Sequence, residues 1–293
     1  MVNILPGMLS NAPGARRSEP LSYLEDIFGV AGKTALVTGG ATGIGRMIAT
    51  ALVRGGARVL ICSRKAEACE KVADELNGLG AAGSCEAFGA DVSTAEGCEA
   101  LVGEVRSRCD ALHILVNNAG VTWGEPMESH PRKAWDRVMP VNVTALFEIT
   151  RDLKDLLEKS STQDDPARVI NIGSVMGTQP VAEGAYSYAV SKAAVHHLTK
   201  VLAIELAGSH ITVNAFAPGP YPSRMTAFAT DTDEKQAHVG RGVPLGRVGR
   251  PEDMAGAVLF LCGRGGSYTT GAIIPLDGGQ HVQHGMKLFE DVV

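Results

Sequence analysis

Short, almost wholly apolar runs alternate with helix-like stretches from Lys33 nearly to the end of the chain, and this alternation narrows the possible folds more than any other feature. The strand candidates are residues 34–38, 58–62, 85–90, 113–117, 168–172, 212–216 and 272–276. Helical patterns lie between them, near 43–55, 65–79, 94–108, 132–159, 187–207 and 251–262. Strand–helix alternation requires crossover connections, hence a parallel sheet with helices on both faces. Runs such as Ile114-Leu115-Val116 and Val169-Ile170 are apolar without a break. That is the signature of strands covered on both sides. The expected fold is one α/β domain, a Rossmann-type doubly wound parallel sheet of about seven strands. It spans residues 33–284, with an N-terminal arm at 1–32 and a tail at 285–293. The stretch from 218 to 250 breaks the rhythm with Pro, Gly and polar residues. Its length suggests a lid or binding loop.

Composition excludes several classes. The net charge of −5 and the lack of a basic stripe argue against nucleic acid, which demands clustered Lys and Arg. No apolar run approaches the roughly 20 residues a bilayer span needs. Residues 1–32 lack the basic start and compact apolar stretch of a secretory signal, and contain Pro6, Pro13 and Pro20. The six cysteines are scattered, with no C-x-x-C pair and no ligand-spaced histidines. This argues against disulfides and against a metal site, and places the chain in a reducing compartment, the cytoplasm.

The first strand runs into Gly39-Gly40-Ala41-Thr42-Gly43-Ile44-Gly45 and then a helix. Glycines allow a tight turn and a close backbone approach to a pyrophosphate, and the helix start offers free N–H groups to that anion. The second strand ends in Ser63-Arg64, where an NAD site usually carries an acid. A guanidinium pairs with a 2′-phosphate that an acid would repel, so NADP is favoured over NAD. Downstream, Tyr188 and Lys192 stand one helical turn apart on one face. An ammonium there is expected to favour the phenolate and lower the phenol's pKa, giving a proton donor and acceptor.

Together these motifs resemble the short-chain dehydrogenase/reductase family over about residues 33–280. The resemblance implies further roles. Thr38-Gly39-x-x-x-Gly43-x-Gly45, with Thr42 and Ile44, looks like the cofactor turn; Asp91-Val92 resembles the pair that contacts adenine. Asn117-Asn118-Ala119-Gly120 looks like the motif that ends strand four and borders the cofactor. Asn142, Ser174, Tyr188 and Lys192 match the four catalytic positions, and Pro218-Gly219 resembles the turn that closes over nicotinamide. The family often has Thr a few residues later; here Ser223 stands there. Ile172-Gly173-Ser174-Val175-Met176-Gly177-Thr178 and Pro222-Ser223-Arg224-Met225 are similar to the 3-oxoacyl reductase branch associated with rhamnolipid synthesis.

The implied activity is NADPH-dependent reduction of a ketone or 3-oxoacyl substrate. Tyr188 protonates the developing alkoxide, Ser174 donates to the same oxygen, and Lys192 biases Tyr188 and holds the nicotinamide ribose. Asn142 is expected to hold a water that resupplies protons. Trp123, Val175, Met176, Tyr221 and Met225, with Gln179, Val181 and Phe228, are the expected pocket residues, and are largely apolar. Arg132 and Lys133 are candidates for touching an acyl carrier protein. His196 and His197 read as surface or interface residues. The resemblance also implies a homodimer or homotetramer built on the long helices. Two rival readings stand beside this one: an NAD-linked alcohol or steroid dehydrogenase, and a catalytically silent nucleotide-binding regulator.

Overall fold

The computed structural model describes residues 19–180 and 184–283. Residues 1–18 of the expected arm, Val181 of the expected pocket and the tail at 285–293 lie outside these. In chain order the elements are α1 (Glu19–Phe28), β1 (Thr34–Thr38), α2 (Gly43–Arg54), β2 (Arg58–Ser63), α3 (Ala66–Asn77), β3 (Ser84–Gly89), α4 (Ala95–Arg108) and β4 (Ile114–Asn117). Then follow α5 (Arg132–Met139), α6 (Ala145–Asp152), α7 (Lys154–Ser160), β5 (Ala167–Ile172), α8 (Tyr186–Leu206), β6 (Ile211–Pro218), α9 (Ala227–Thr230), α10 (Asp233–Gly240), α11 (Pro251–Cys262) and β7 (Ile273–Leu276).

The seven strands form one sheet in the order β3-β2-β1-β4-β5-β6-β7, and every pair is parallel. The order reverses between β1 and β4, the crevice where open α/β sheets take their ligands. Side chains alternate between two cores, as the period of two requires. Ala35, Val37, Val59, Ile61, Ile114 and Val116 pack with α2 and α11 on one face. Leu36, Leu60, Leu115 and Val169 pack with α4, α6 and α8 on the other. β6 is buried at all eight positions, including the polar Thr212 and Asn214.

Three regions differ from expectation. Part of the expected arm, Glu19–Phe28, is helical and packs against α11. The helix expected over 132–159 is three segments. Pro140 has no N–H to donate, and the backbone widens into a π-turn over Pro140–Thr144, closed by Ala145 N–H to Pro140 O. This turn carries Asn142 inward, to 2% exposure. A second break falls at Leu153. The loop after β6 holds α9 and α10. Its base is tied down by Gly249 N–H to Pro220 O (2.9 Å) and Leu245 N–H to Gly278 O (3.1 Å).

One charge sits in the core at the opposite end of the sheet from the glycine turn. Arg168, near the start of β5, is 1% exposed. Its guanidinium donates to the carbonyls of Leu261 (2.8 Å) and Gly263 (3.0 Å) at the end of α11, to Pro166 O, and to Asp165 (3.1 Å). Lys33 Nζ completes the clamp, reaching Asp165 (2.7 Å) and Cys262 O (3.0 Å). Cations are favoured at a helix C-terminus, where carbonyls are left without partners.

Candidate active site

The turn after β1 is compact because its glycines leave no room for a side chain. Gly39 and Gly43 have φ of +67° and +54°, a region L-residues rarely adopt. A Cβ on Gly45 would stand 2.4 Å from both Asn118 Nδ2 and Gly39 O. Asn118 laces the turn to β4, donating from Nδ2 to Thr38 O (2.8 Å) and Gly39 O (3.2 Å). The N–H groups of Asn118 and Ala119 both donate to Thr38 Oγ1 at 3.0 Å. The start of α2 is uncapped: Thr42 makes no side-chain bond to it, and its first turn holds no acid. A positive helix end with open N–H groups and a close backbone approach fits the pyrophosphate of a dinucleotide.

Beyond β2, the Arg64 guanidinium is exposed and makes no hydrogen bond or ion pair among the described residues. Arg46, by contrast, is engaged with Glu75. Ser63 Oγ accepts from Cys69 Sγ (3.1 Å) and Lys65 N–H (3.3 Å). Asp91 is exposed beside the nearly buried Val92, past the end of β3.

The second cluster forms where β5 ends. Tyr188 and Lys192 face inward from α8. The Lys192 ammonium donates to Ile172 O (2.7 Å) and stands 5.6 Å from the Tyr188 ring centroid. Ser174, two residues beyond Ile172, stands close enough to the Tyr188 phenol to favour its ionised form. Gly120 borders the cluster: a Cβ there would be in ordinary contact, 3.4 Å from Asn142 Oδ1 and 3.7 Å from Lys192 Nζ.

The electrostatics correct one expectation. Burial pushes the Tyr188 phenol above its ordinary value, and Ser174 offsets this only in part. Lys192 itself is pushed down to about 8 by burial. Desolvation, which disfavours either charged form, therefore outweighs the attraction that was expected to acidify the phenol.

Asn142 also differs from expectation. Its Nδ2 donates to Val121 O (3.0 Å) and Ser191 Oγ (2.9 Å), and its Oδ1 accepts from Val121 N–H (2.9 Å). Both amide hydrogens are committed. The side chain pins the loop at Val121 to α8 and leaves one oxygen lone pair for any further partner.

The expected pocket residues divide. Val175 and Met176 form a half-buried 3-10 turn directly after Ser174. Trp123 is half-buried, donates to Glu125 (2.9 Å), and lies under Lys133 and Arg137 at 5.2 and 5.7 Å from its ring centroid. Arg132, by contrast, points to solvent. Met225 and Phe228 are exposed on the lid, 37% and 81%. Tyr221 is a correction. It is 3% exposed and packs in the core against Gly249, where a Cβ would touch its ring at 2.3 Å. It also lines a cleft of about 550 Å³ with Leu245 and Asp277, behind the lid and away from Ser174.

Ser223 meets the glycine turn: a Cβ on Gly43 would come within 2.7 Å of its Cβ. Its hydroxyl pairs with Thr226 Oγ1 (2.9 Å), a partner the sequence reading missed. Gly219 is required by close approach, since a Cβ there would meet Asp277 Cα at 2.8 Å. His197 is exposed, but His196 is buried beneath Ser174, against expectation. The readable signal was spacing: Tyr188, Lys192 and His196 continue one inward stripe at intervals of one turn.

Known proteins resemble this chain over most of its length. A family model described as enoyl-(acyl carrier protein) reductase matches residues 39–281. The rhamnolipids biosynthesis 3-oxoacyl-[acyl-carrier-protein] reductase of Pseudomonas aeruginosa is 48% identical over 258 residues, 87% of this chain and 98% of that protein. The 3-oxoacyl-[acyl-carrier-protein] reductase FabG of the same organism is 36% identical over 251 residues, 86% of this chain and 98% of that protein. Among solved structures, the Pseudomonas aeruginosa RhlG/NADP active-site complex superposes with a TM-score of 0.83 at 47% identity, covering 87% of this chain and 99% of that one.

Proposed function

The chain belongs to the short-chain dehydrogenase/reductase family, and from that premise we propose that it reduces a ketone or 3-oxoacyl substrate with NADPH. The observation that carries the reading is the convergence of Ser174, Tyr188 and Lys192 at the carboxyl end of β5, in the same crevice as the glycine turn. The RhlG structure holds NADP, and the exposed, unengaged Arg64 supports the same phosphorylated dinucleotide here.

The reduced dinucleotide supplies the hydride that reaches the carbonyl carbon. Gly39, Thr42, Gly43, Ile44 and Gly45 would hold its pyrophosphate and Arg64 its 2′-phosphate. Asp91, Val92, Asn118, Ala119 and Gly120 would border the adenosine and ribose, and Pro218, Gly219 and Ser223 the nicotinamide. The protein's own part is proton supply and charge stabilisation. The raised pKa of Tyr188 keeps its proton on at neutral pH, the form a reductase needs in its acid. Tyr188 gives that proton to the carbonyl oxygen as the hydride arrives, so that ketone becomes alcohol. Ser174 Oγ–H donates to the same oxygen. Lys192 is still largely charged below about 8, and steadies the negative charge left on the phenol oxygen.

Trp123, Val175, Met176 and Met225 would meet the acyl chain. The apolar side chains Phe147, Val190, Val201 and Ile204, exposed along α6 and α8, suit contact with a second copy of the chain. Burial of that face would give a homodimer or homotetramer. Six free thiols fit a reducing cytoplasm.

The test is a panel of ketones and 3-oxoacyl thioesters with NADPH and NADH, run on the protein and on Tyr188→Phe. Substrate-dependent NADPH oxidation is expected, with kcat reduced at least ~100-fold in the variant. NADPH binding, read by fluorescence, should be unchanged. Binding without turnover on any substrate would return the protein to a silent nucleotide-binding role.

A further inference from the structure

We infer that His196 is a positioning residue for the catalytic serine: its neutral imidazole spans the Ser174–Thr178 turn and sets where the Ser174 hydroxyl stands. The inference rests on the role proposed above for Ser174.

Four observations carry it. His196 is 7% exposed, on the inward stripe of α8, one turn beyond Lys192. Its Nε2 accepts from Ser174 N–H (3.4 Å) at the start of the turn. Its Nδ1 stands 3.4 Å from Thr178 Oγ1 at the end of the turn, with the Gly177 backbone close by. Finally, the preceding residue has to be glycine: a Cβ on Gly173 would lie 2.2 Å from Nε2. The ring thus fills the hollow beneath the turn and holds both of its ends.

The bonds also assign the tautomer. Nε2 faces a donor, so it carries no proton; the proton sits on Nδ1 and is directed at Thr178 Oγ1. An imidazolium would put a proton against Ser174 N–H. Burial, with Lys192 and Lys200 nearby, holds the ring neutral by pushing its pKa down to about 4. The turn itself is tight, with Gly177 N–H bonded to Ser174 O (2.9 Å) and Met176 N–H to Ser174 Oγ (3.2 Å). A shift of the Ser174 backbone therefore moves the hydroxyl with it. Displacement of a reacting group by about 1 Å costs up to ~100-fold in rate.

The test is a double-mutant cycle on the full-length protein with NADPH and the best substrate from the panel. His196→Leu keeps the volume and removes both bonds; His196→Gln restores a polar atom near Nε2. Expected results are a fall in kcat of roughly tenfold to a hundredfold for His196→Leu, with partial recovery in His196→Gln. The NADPH dissociation constant should stay within about twofold, which separates loss of position from general disorder of the site. In a Ser174→Ala background, His196→Leu should cost less than about a further twofold, because the hydroxyl it places is already gone. An undiminished effect in that background would overturn the inference and leave the role of Ser174 standing. Full activity of Ser174→Ala alone would instead remove the role of Ser174, and the inference with it.

Discussion

Lys192 should make this protein less stable than it needs to be, and the cost can be read as a function of pH. The ammonium is 4% exposed, and burial takes its pKa from 10.5 to about 8. At roughly 1.4 kcal/mol per pH unit, that displacement corresponds to about 3 kcal/mol. Between pH 8 and 10.5 the unfolded chain holds a proton that the folded chain has released. Stability linked to this group therefore rises with pH through that window, and is at its lowest below pH 8. Lys192→Met keeps most of the volume and removes the charge. It also forfeits the bond to Ile172 O, worth about 1–3 kcal/mol to a charged donor. At pH 7 the variant should be as stable as the parent or more so, by up to ~2 kcal/mol, while turnover is lost. The informative quantity is the parent-minus-variant difference in urea unfolding free energy, measured at one protein concentration from pH 7 to pH 10.5. Subtraction cancels the cysteines and other groups common to both chains. The difference should shift by about 3 kcal/mol in favour of the parent. A difference that stays flat across that range would show that the lysine is not desolvated, and would refute the reasoning.

Two further outcomes are expected. Arg64→Ala should raise the KM for NADPH at least ~10-fold, as befits loss of a charge-assisted phosphate contact, and barely move that for NADH; equal changes in steady-state assays would show that Arg64 does not read the phosphate. Arg168→Ala should cost about 3–5 kcal/mol in urea unfolding, because it leaves buried carbonyls and Asp165 short of a partner; a loss below about 1 kcal/mol would mean the clamp is dispensable.

The strands were legible because a sheet covered on both faces writes itself as apolar runs, and each predicted strand overlaps an observed one within two residues at either end. The helix over 132–159 was misread because hydrophobic periodicity continues through a bulge; Pro140, which cannot donate to the ladder, was the available signal. The helix in the lid was also signalled. Thr232 caps it through Lys235 N–H, and Asp233 and Glu234 fill its first turn, yet the surrounding glycines and prolines masked this. The candidate catalytic and cofactor positions came from the order of the motifs and from the family resemblance, neither of which needs knowledge of the fold. The ionisation of Tyr188 was not legible, since the balance between a nearby charge and desolvation depends on burial that no local pattern encodes. Tyr221 failed for a related reason: its neighbour Gly249 lies far along the chain, and only the closed base of the lid brings them together.

β5 is gripped at its foot and used at its tip. Arg168, the second residue of the strand, is bolted to the end of α11, and Ser174 emerges two residues past the last. The tool lies six steps along the chain from the anchor, a reach of about 20 Å at 3.3 Å each. Adding or deleting one residue in that span would turn every side chain to the wrong layer and retract or overshoot the hydroxyl by a full step. The strand is therefore a gauge of fixed length. A change of substrate is therefore left to the side chains around that fixed tip, on the lid and in the turn after Ser174, because the ruler beneath them cannot be recut.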